Sequence, residues 1–192
     1  MAVKTWANGE ALLEGDLNTY GVNHGMKLLA ECAGSNSSIL SGVFTSEFRN
    51  YRVVVDFMAN ISGSATSPIR VALRVGNTET TTNYSYVLQE VNSAGTTTTQ
   101  RLTATSSWIV ANVGAPGVSN YSNFSFDLYN PQRAAYTGIS CRSSGVLAGP
   151  TFATQTMAGW QSTTTQFDGI RIGDFSWGNQ YGVCRIYGYR DI

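Results

Sequence analysis

Tyr51 to Ile61 reads YRVVVDFMANI, and its spacing decides the fold. Tyr51, Val53, Val55, Phe57, Ala59 and Ile61 are apolar or aromatic, while Arg52, Asp56 and Asn60 fall between them. Successive Cβ atoms of an extended chain point to opposite sides, so this period of two separates a core face from a wet face. Ile69 to Val75 repeats the pattern, with Ile69, Val71, Leu73 and Val75 set against Arg70 and Arg74. Similar reading predicts strands over Tyr84–Val91, Thr97–Leu102, Ser107–Val113, Asn123–Tyr129, Ala135–Arg142, Phe167–Ile172 and Tyr181–Tyr189. Turn-forming clusters such as Ser62-Gly63-Ser64 and Gly114-Ala115-Pro116-Gly117 lie between them. No helical period intervenes. The expected fold is therefore mainly β: an antiparallel β-sandwich or jelly-roll-like domain over residues 38–192.

Residues 1–37 have a different texture. From Glu10 to Glu31, Leu13, Leu17, Tyr20, His24 and Leu28 recur every three or four positions, the mark of an amphipathic helix. Asp16 is a candidate N-cap, whereas Gly21 and Gly25 weaken the helix by about 1 kcal/mol each. The expectation is a short N-terminal arm and helix ending near Cys32-Ala33-Gly34. Trp6, Leu12, Leu13 and Leu17 carry apolar surface that must be hidden, against the same monomer or against a partner.

Composition narrows the function. Apolar residues make up 42% of the 192-residue chain, which excludes disorder, and charged residues only 12%. That charge is about half the usual share, and Ser, Thr, Asn and Gly replace it. Such a surface suits packing against other subunits. Net charge is zero with no basic stripe, so no nucleic-acid partner is expected. No stretch is long and apolar enough for membrane insertion or a signal peptide. Cys32, Cys141 and Cys184 show no metal or redox spacing, and read as isolated thiols of a protein made in a reducing cytoplasm.

Few residues suggest chemistry. His24 is the sole histidine and stands eight residues from Cys32, about 12 Å along an unbroken helix, too far for a Cys–His pair. Asp168 and Asp174, with Trp160 and Trp177 nearby, have the composition of a glycosidase pair, but a turn carboxylate beside Gly169 is the simpler reading of Asp168. The Gly-rich stretches at 114–117 and 145–149 open no helix and cradle no phosphate. No catalytic residue, cofactor or metal is expected, and the protein is read as not an enzyme. Phe175, Trp177 and Tyr181 lie in a polar aromatic loop that either contacts a receptor or neighbouring subunit, or plugs the end of the sandwich.

GVFTSEFRNYRVVVDFMANIS at Gly42–Ser62 resembles the opening strand of the C-terminal β-sandwich module of tailed-bacteriophage virion structural proteins. IRVALRVGNTETTTNYSYVLQ at Ile69–Gln89 is similar to its next hairpin, and Ser119–Ser144 to the strand pair that follows. GWQSTTTQFDGIRI from Gly159 and the terminal RIYGYRDI resemble its last two strands. WANGEALLEGDLN at Trp6–Asn18 resembles the docking segment with which phage fibre and tail proteins begin.

The resemblance implies a non-enzymatic virion protein, made in the host cytoplasm and docked to the particle through Trp6, Leu12, Leu13 and Leu17. It implies a short tail fibre or tail-associated adhesion protein first, and a capsid decoration (cement) or head-fibre protein as the alternative. Other virion proteins of tail or capsid would be its partners, and the assembly a homo-oligomer, a trimer by analogy with threefold phage appendages. A carbohydrate-binding module reading a host surface glycan is the third reading. The resemblance also implies that Trp160 packs in the core.

Overall fold

The computed structural model describes residues 26–35, 38–60, 67–113, 121–146, 151–173 and 180–189. Among the described residues every element is a β-strand, every pairing is antiparallel, and two sheets face each other across a shared core. The mainly β sandwich expected from the alternation is what the chain forms.

The larger sheet has eight strands in the order β1-β13-β3-β9-β10-β11-β6-β7. These are β1 (Met26–Ser35), β13 (Gln180–Tyr189), β3 (Asn50–Asn60), β9 (Tyr121–Tyr129), β10 (Thr137–Val146), β11 (Phe152–Gln161), β6 (Tyr84–Asn92) and β7 (Thr97–Thr105). The smaller sheet runs β2 (Ser38–Leu40), β12 (Gly169–Gly173), β4 (Ser67–Val75) and β5 (Thr78–Glu79), with β8 (Trp108–Val113) also pairing β4.

Alternation places the core. Tyr51, Val53 and Val55 of β3 face inward, as do Phe124, Phe126 and Leu128 of β9. Ile69, Val71 and Leu73 of β4 meet them from the other sheet with Ile170 and Ile172 of β12. Burying each such side chain contributes about 1.5–3 kcal/mol, which outweighs any strand propensity. Trp108 is fully buried, edge-on to Tyr84 with ring centroids 4.8 Å apart. Its indole lies against Gly159, where an added Cβ would come 3.1 Å from Nε1.

Tyrosine hydroxyls fasten the ends of this core. Tyr51 Oη donates to the Thr45 carbonyl at 2.7 Å and accepts from the Thr45 N–H at 2.8 Å, folding residues 45–48 back onto β3. Tyr84 Oη accepts from the Leu73 N–H at 2.8 Å and donates to the Thr80 carbonyl at 3.0 Å, crossing from one sheet to the other. Burial raises both phenol pKa values, so both stay neutral donors.

Five expectations are corrected. The helix expected over Glu10–Glu31 gives way at Met26 to strand β1, paired with β13 from Met26↔Tyr189 to Ser35↔Tyr181; residues 10–25 lie outside the described residues. Of the apolar positions with helical spacing, only Leu28 is in the strand, and β1 gains a full ladder on β13 that an isolated helix would forgo. The boundary expected between 37 and 38 thus falls inside the sandwich, between β1 and β2.

Next, the thiols are not all isolated. Cys32 and Cys184 form a disulfide with Cα atoms 5.2 Å apart, and the free Cys141 is buried. Their separation of 152 residues hides the pairing from any spacing rule, whereas the β1–β13 register sets them directly opposite. The last two corrections concern one strand. Phe152–Gln161 forms β11, unmarked by the alternation reading, and its Trp160 is 49% exposed on the outer face rather than in the core.

Candidate functional site

The outer face of the eight-stranded sheet is the broadest surface the fold presents. Its two halves differ in charge. On the β1–β13–β3–β9 half the charges are closed into local sets. Arg52, directly opposite Asp127 in the register, makes a two-pronged bridge to it, Nε to Oδ1 at 3.0 Å and Nη2 to Oδ2 at 2.9 Å. Tyr189 Oη donates to the same Oδ1 at 2.9 Å. Partial burial and that acceptor push the Tyr189 phenol up to about 12. Next along the sheet, Arg185 donates to Glu31 at 2.7 Å and also to Asp56.

The β10–β11–β6–β7 half is different. Arg142 is exposed and stands between Ser125 and Thr156 in the register. Arg101, opposite Val87, is exposed on the same face. Neither pairs with another described residue. The outward residues of these four strands are otherwise Ser, Thr, Gln, Gly and apolar side chains, with no carboxylate among the described ones. Two open depressions flank Arg142, one of about 620 Å³ that also borders on Asp56, Asn123, Ser144 and Thr154, and one of about 360 Å³ floored by Ser140 and Ala158.

Aromatic rings stand at one end of this half. Across neighbouring strands the register runs Tyr129, Gly138, Trp160. Tyr129 is 41% exposed and leans over the glycine, its Cδ2 3.3 Å from where a Cβ would be. Gly138 therefore leaves a floor between two exposed rings.

Beneath the sheet, a polar cluster closes the other end of the core. Glu90 accepts from Gln155 Nε2 and, at 3.4 Å, from Asn112 Nδ2, while Gln155 Oε1 accepts from Ser143 at 3.1 Å and the Asn112 N–H at 3.1 Å. These groups satisfy one another and hold the two sheets in register. On the smaller sheet, Glu79 Oε1 accepts from Arg171 at 2.9 Å and from Arg74 at 3.4 Å. Among the described residues no group of three or more His, Cys, Asp or Glu is placed to hold a metal ion.

The residues singled out from sequence fare unevenly. Trp6, Leu12, Leu13 and Leu17 lie outside the described residues, as do His24, Asp174, Phe175 and Trp177. The backbone of Tyr181 lies in β13, opposite Ser35 of β1 and Ala59 of β3. Asp168 is a turn carboxylate: it accepts from the Gly76 N–H at 2.9 Å and 3.0 Å, bracing the β4–β5 turn. Gly76 has φ of 57°, a conformation that favours glycine.

Sequence reasoning missed Arg142, Tyr129 and the outward pose of Trp160. The pattern of β11 pointed the wrong way, since its alternating set Phe152, Thr154, Thr156, Ala158 and Trp160 carries the bulky rings yet faces outward. Compared with known proteins, the chain matches no family, no curated protein and no solved structure.

Proposed function

We propose that this protein is a non-enzymatic bacteriophage virion structural protein, a short tail fibre or tail-associated adhesion component. In this reading it docks through Trp6, Leu12, Leu13 and Leu17 and displays the sandwich from a homotrimer. The observation that carries the reading is the outer face of β11 and β6 in the eight-stranded sheet: Val87, Val91, Phe152 and Trp160 stand exposed there among uncharged polar side chains. A surface so poor in charge and so rich in exposed apolar groups favours contact with other molecules over solvation alone. The order of segments shared with phage virion proteins adds to it. So does the Cys32–Cys184 disulfide, since virion surfaces are among the oxidising settings where such bonds persist.

The test is incorporation into particles. A chain lacking residues 1–25 keeps β1 and Cys32, so its sandwich and disulfide stay intact. The expected result is a folded protein that no longer enters particles, while the full chain is found at the tail by immunogold labelling. Normal incorporation of the truncated chain overturns the docking role. Gold at the head replaces the tail assignment with capsid decoration, and absence of the full chain from purified particles overturns the whole reading.

A further inference from the structure

We propose that the outer face of β10, β11 and β6 is a binding site for an acidic oligosaccharide, with Arg142 receiving a sugar carboxylate and Trp160 with Tyr129 receiving a pyranose face. The site rests on this face alone and is independent of the protein's place in a virion.

Three observations carry it. Arg142 is an exposed guanidinium with no partner among the described residues; no described outward side chain of β10, β11 or β6 is a carboxylate, and the neighbouring Asp127 of β9 and Asp56 of β3 are bound to Arg52 and Arg185. A guanidinium presents parallel N–H donors that match a carboxylate, and leaving it unpaired here keeps those donors available. By contrast, Arg52 and Arg185 on the same sheet are already bound to Asp127, Glu31 and Asp56.

Around Arg142 the depressions are edged by the hydroxyl and amide side chains Ser125, Ser144, Thr154, Thr156 and Gln89, and on the far side of the larger one by Val54 and by Asp56, whose carboxylate is already bound to Arg185. Such groups donate and accept hydrogen bonds in any direction, which suits the hydroxyls of a sugar ring. The Tyr129–Gly138–Trp160 row supplies the apolar complement, two exposed rings with Tyr129 leaning over the glycine between them. Gly138 lies four residues from Arg142 along β10, roughly 14 Å at strand rise. The span fits an oligosaccharide, with the charged sugar at one end and the stacked sugar at the other. A nucleic-acid strand would need cations along its whole path, and the described outer face of these strands offers Arg142 and, on β7, Arg101 alone.

The full chain is titrated calorimetrically with oligogalacturonate and oligosialate, with a neutral cello-oligosaccharide and oligothymidylate for comparison. At least one acidic probe should bind, the neutral sugar and the oligonucleotide at least about tenfold more weakly. Arg142→Gln should lower that affinity about tenfold or more, and Trp160→Ala about threefold to tenfold, with melting temperatures unchanged because both side chains are exposed. Lys27→Gln, on the far edge strand β1 where the lysine pairs with Glu47, should leave affinity unchanged. No binding of either acidic probe overturns the proposal. So does equal or tighter binding of the neutral sugar or oligonucleotide, or an affinity indifferent to Arg142→Gln and Trp160→Ala.

Discussion

Cys32 and Cys184 face each other across β1 and β13, and their disulfide fastens an edge strand to the strand that closes the chain. β1 has one neighbour in its sheet and would otherwise be held by that single ladder and partial packing of Leu29 and Ala30 on the core. The bond closes a loop that includes most of the molecule. Cys32→Ser is therefore expected to destabilise the fold by about 2–4 kcal/mol, read by urea unfolding with and without reductant. The variant and the reduced wild type should coincide.

Cys141 should behave oppositely. Its thiol is buried, donates to the Val110 carbonyl at 3.2 Å, and has its pKa raised by burial first and the Asp127 charge second. The reactive species is the thiolate, so native protein should resist iodoacetamide at neutral pH and take up label at Cys141 only on unfolding. Mass spectrometry of the alkylated protein checks this.

Gly159 leaves room for nothing larger. A Cβ there would meet the Ser85 carbonyl oxygen at 2.4 Å and Tyr86 Cβ at 2.7 Å as well as the Trp108 indole. Backbone and a buried ring cannot both retreat, so Gly159→Ala should cost about 1–3 kcal/mol, with a change in the near-ultraviolet signal of Trp108.

Tyr84→Phe should cost about 1–3 kcal/mol for a different reason. The substitution keeps the ring against Trp108 but strips the Leu73 N–H of its acceptor inside the core. Thermal unfolding of the variant checks it, and a loss below a few tenths of a kcal/mol refutes the role assigned to the hydroxyl.

Tyr189 gives the fold a dependence on alkaline pH. Its phenol titrates near 12 in the folded protein against about 10 in an unfolded chain, so the folded state prefers the neutral form. This contribution is fully present below about pH 10 and is lost as pH rises toward about 12. Urea midpoints measured at about pH 8 and about pH 11 should separate more for the wild type than for Tyr189→Phe.

Much of the sandwich was legible in local pattern. Tyr51–Ile61, Ile69–Val75 and Asn123–Tyr129 place large apolar side chains at every second position, and in the strands formed there Tyr51, Val53 and Val55, Ile69, Val71 and Leu73, and Phe124, Phe126 and Leu128 are buried. β11 was not legible. Its inward set is Ala153, Gln155, Met157, Gly159 and Gln161, and its bulkiest rings point out, so hydrophobic alternation runs against the true faces. Gln155 is tolerable inside because Glu90, Ser143 and Asn112 complete its hydrogen bonds, and those partners come from distant segments.

The sequence by itself determined strand character and antiparallel class, because a period of two is a property of neighbouring residues. Tertiary structure alone decided that Cys32 meets Cys184, that Trp160 looks outward, and that Arg142 has no ion-pair partner among the described residues. Each depends on which strands become neighbours and in what register. A shift of one residue would move every side chain of a strand to its other face.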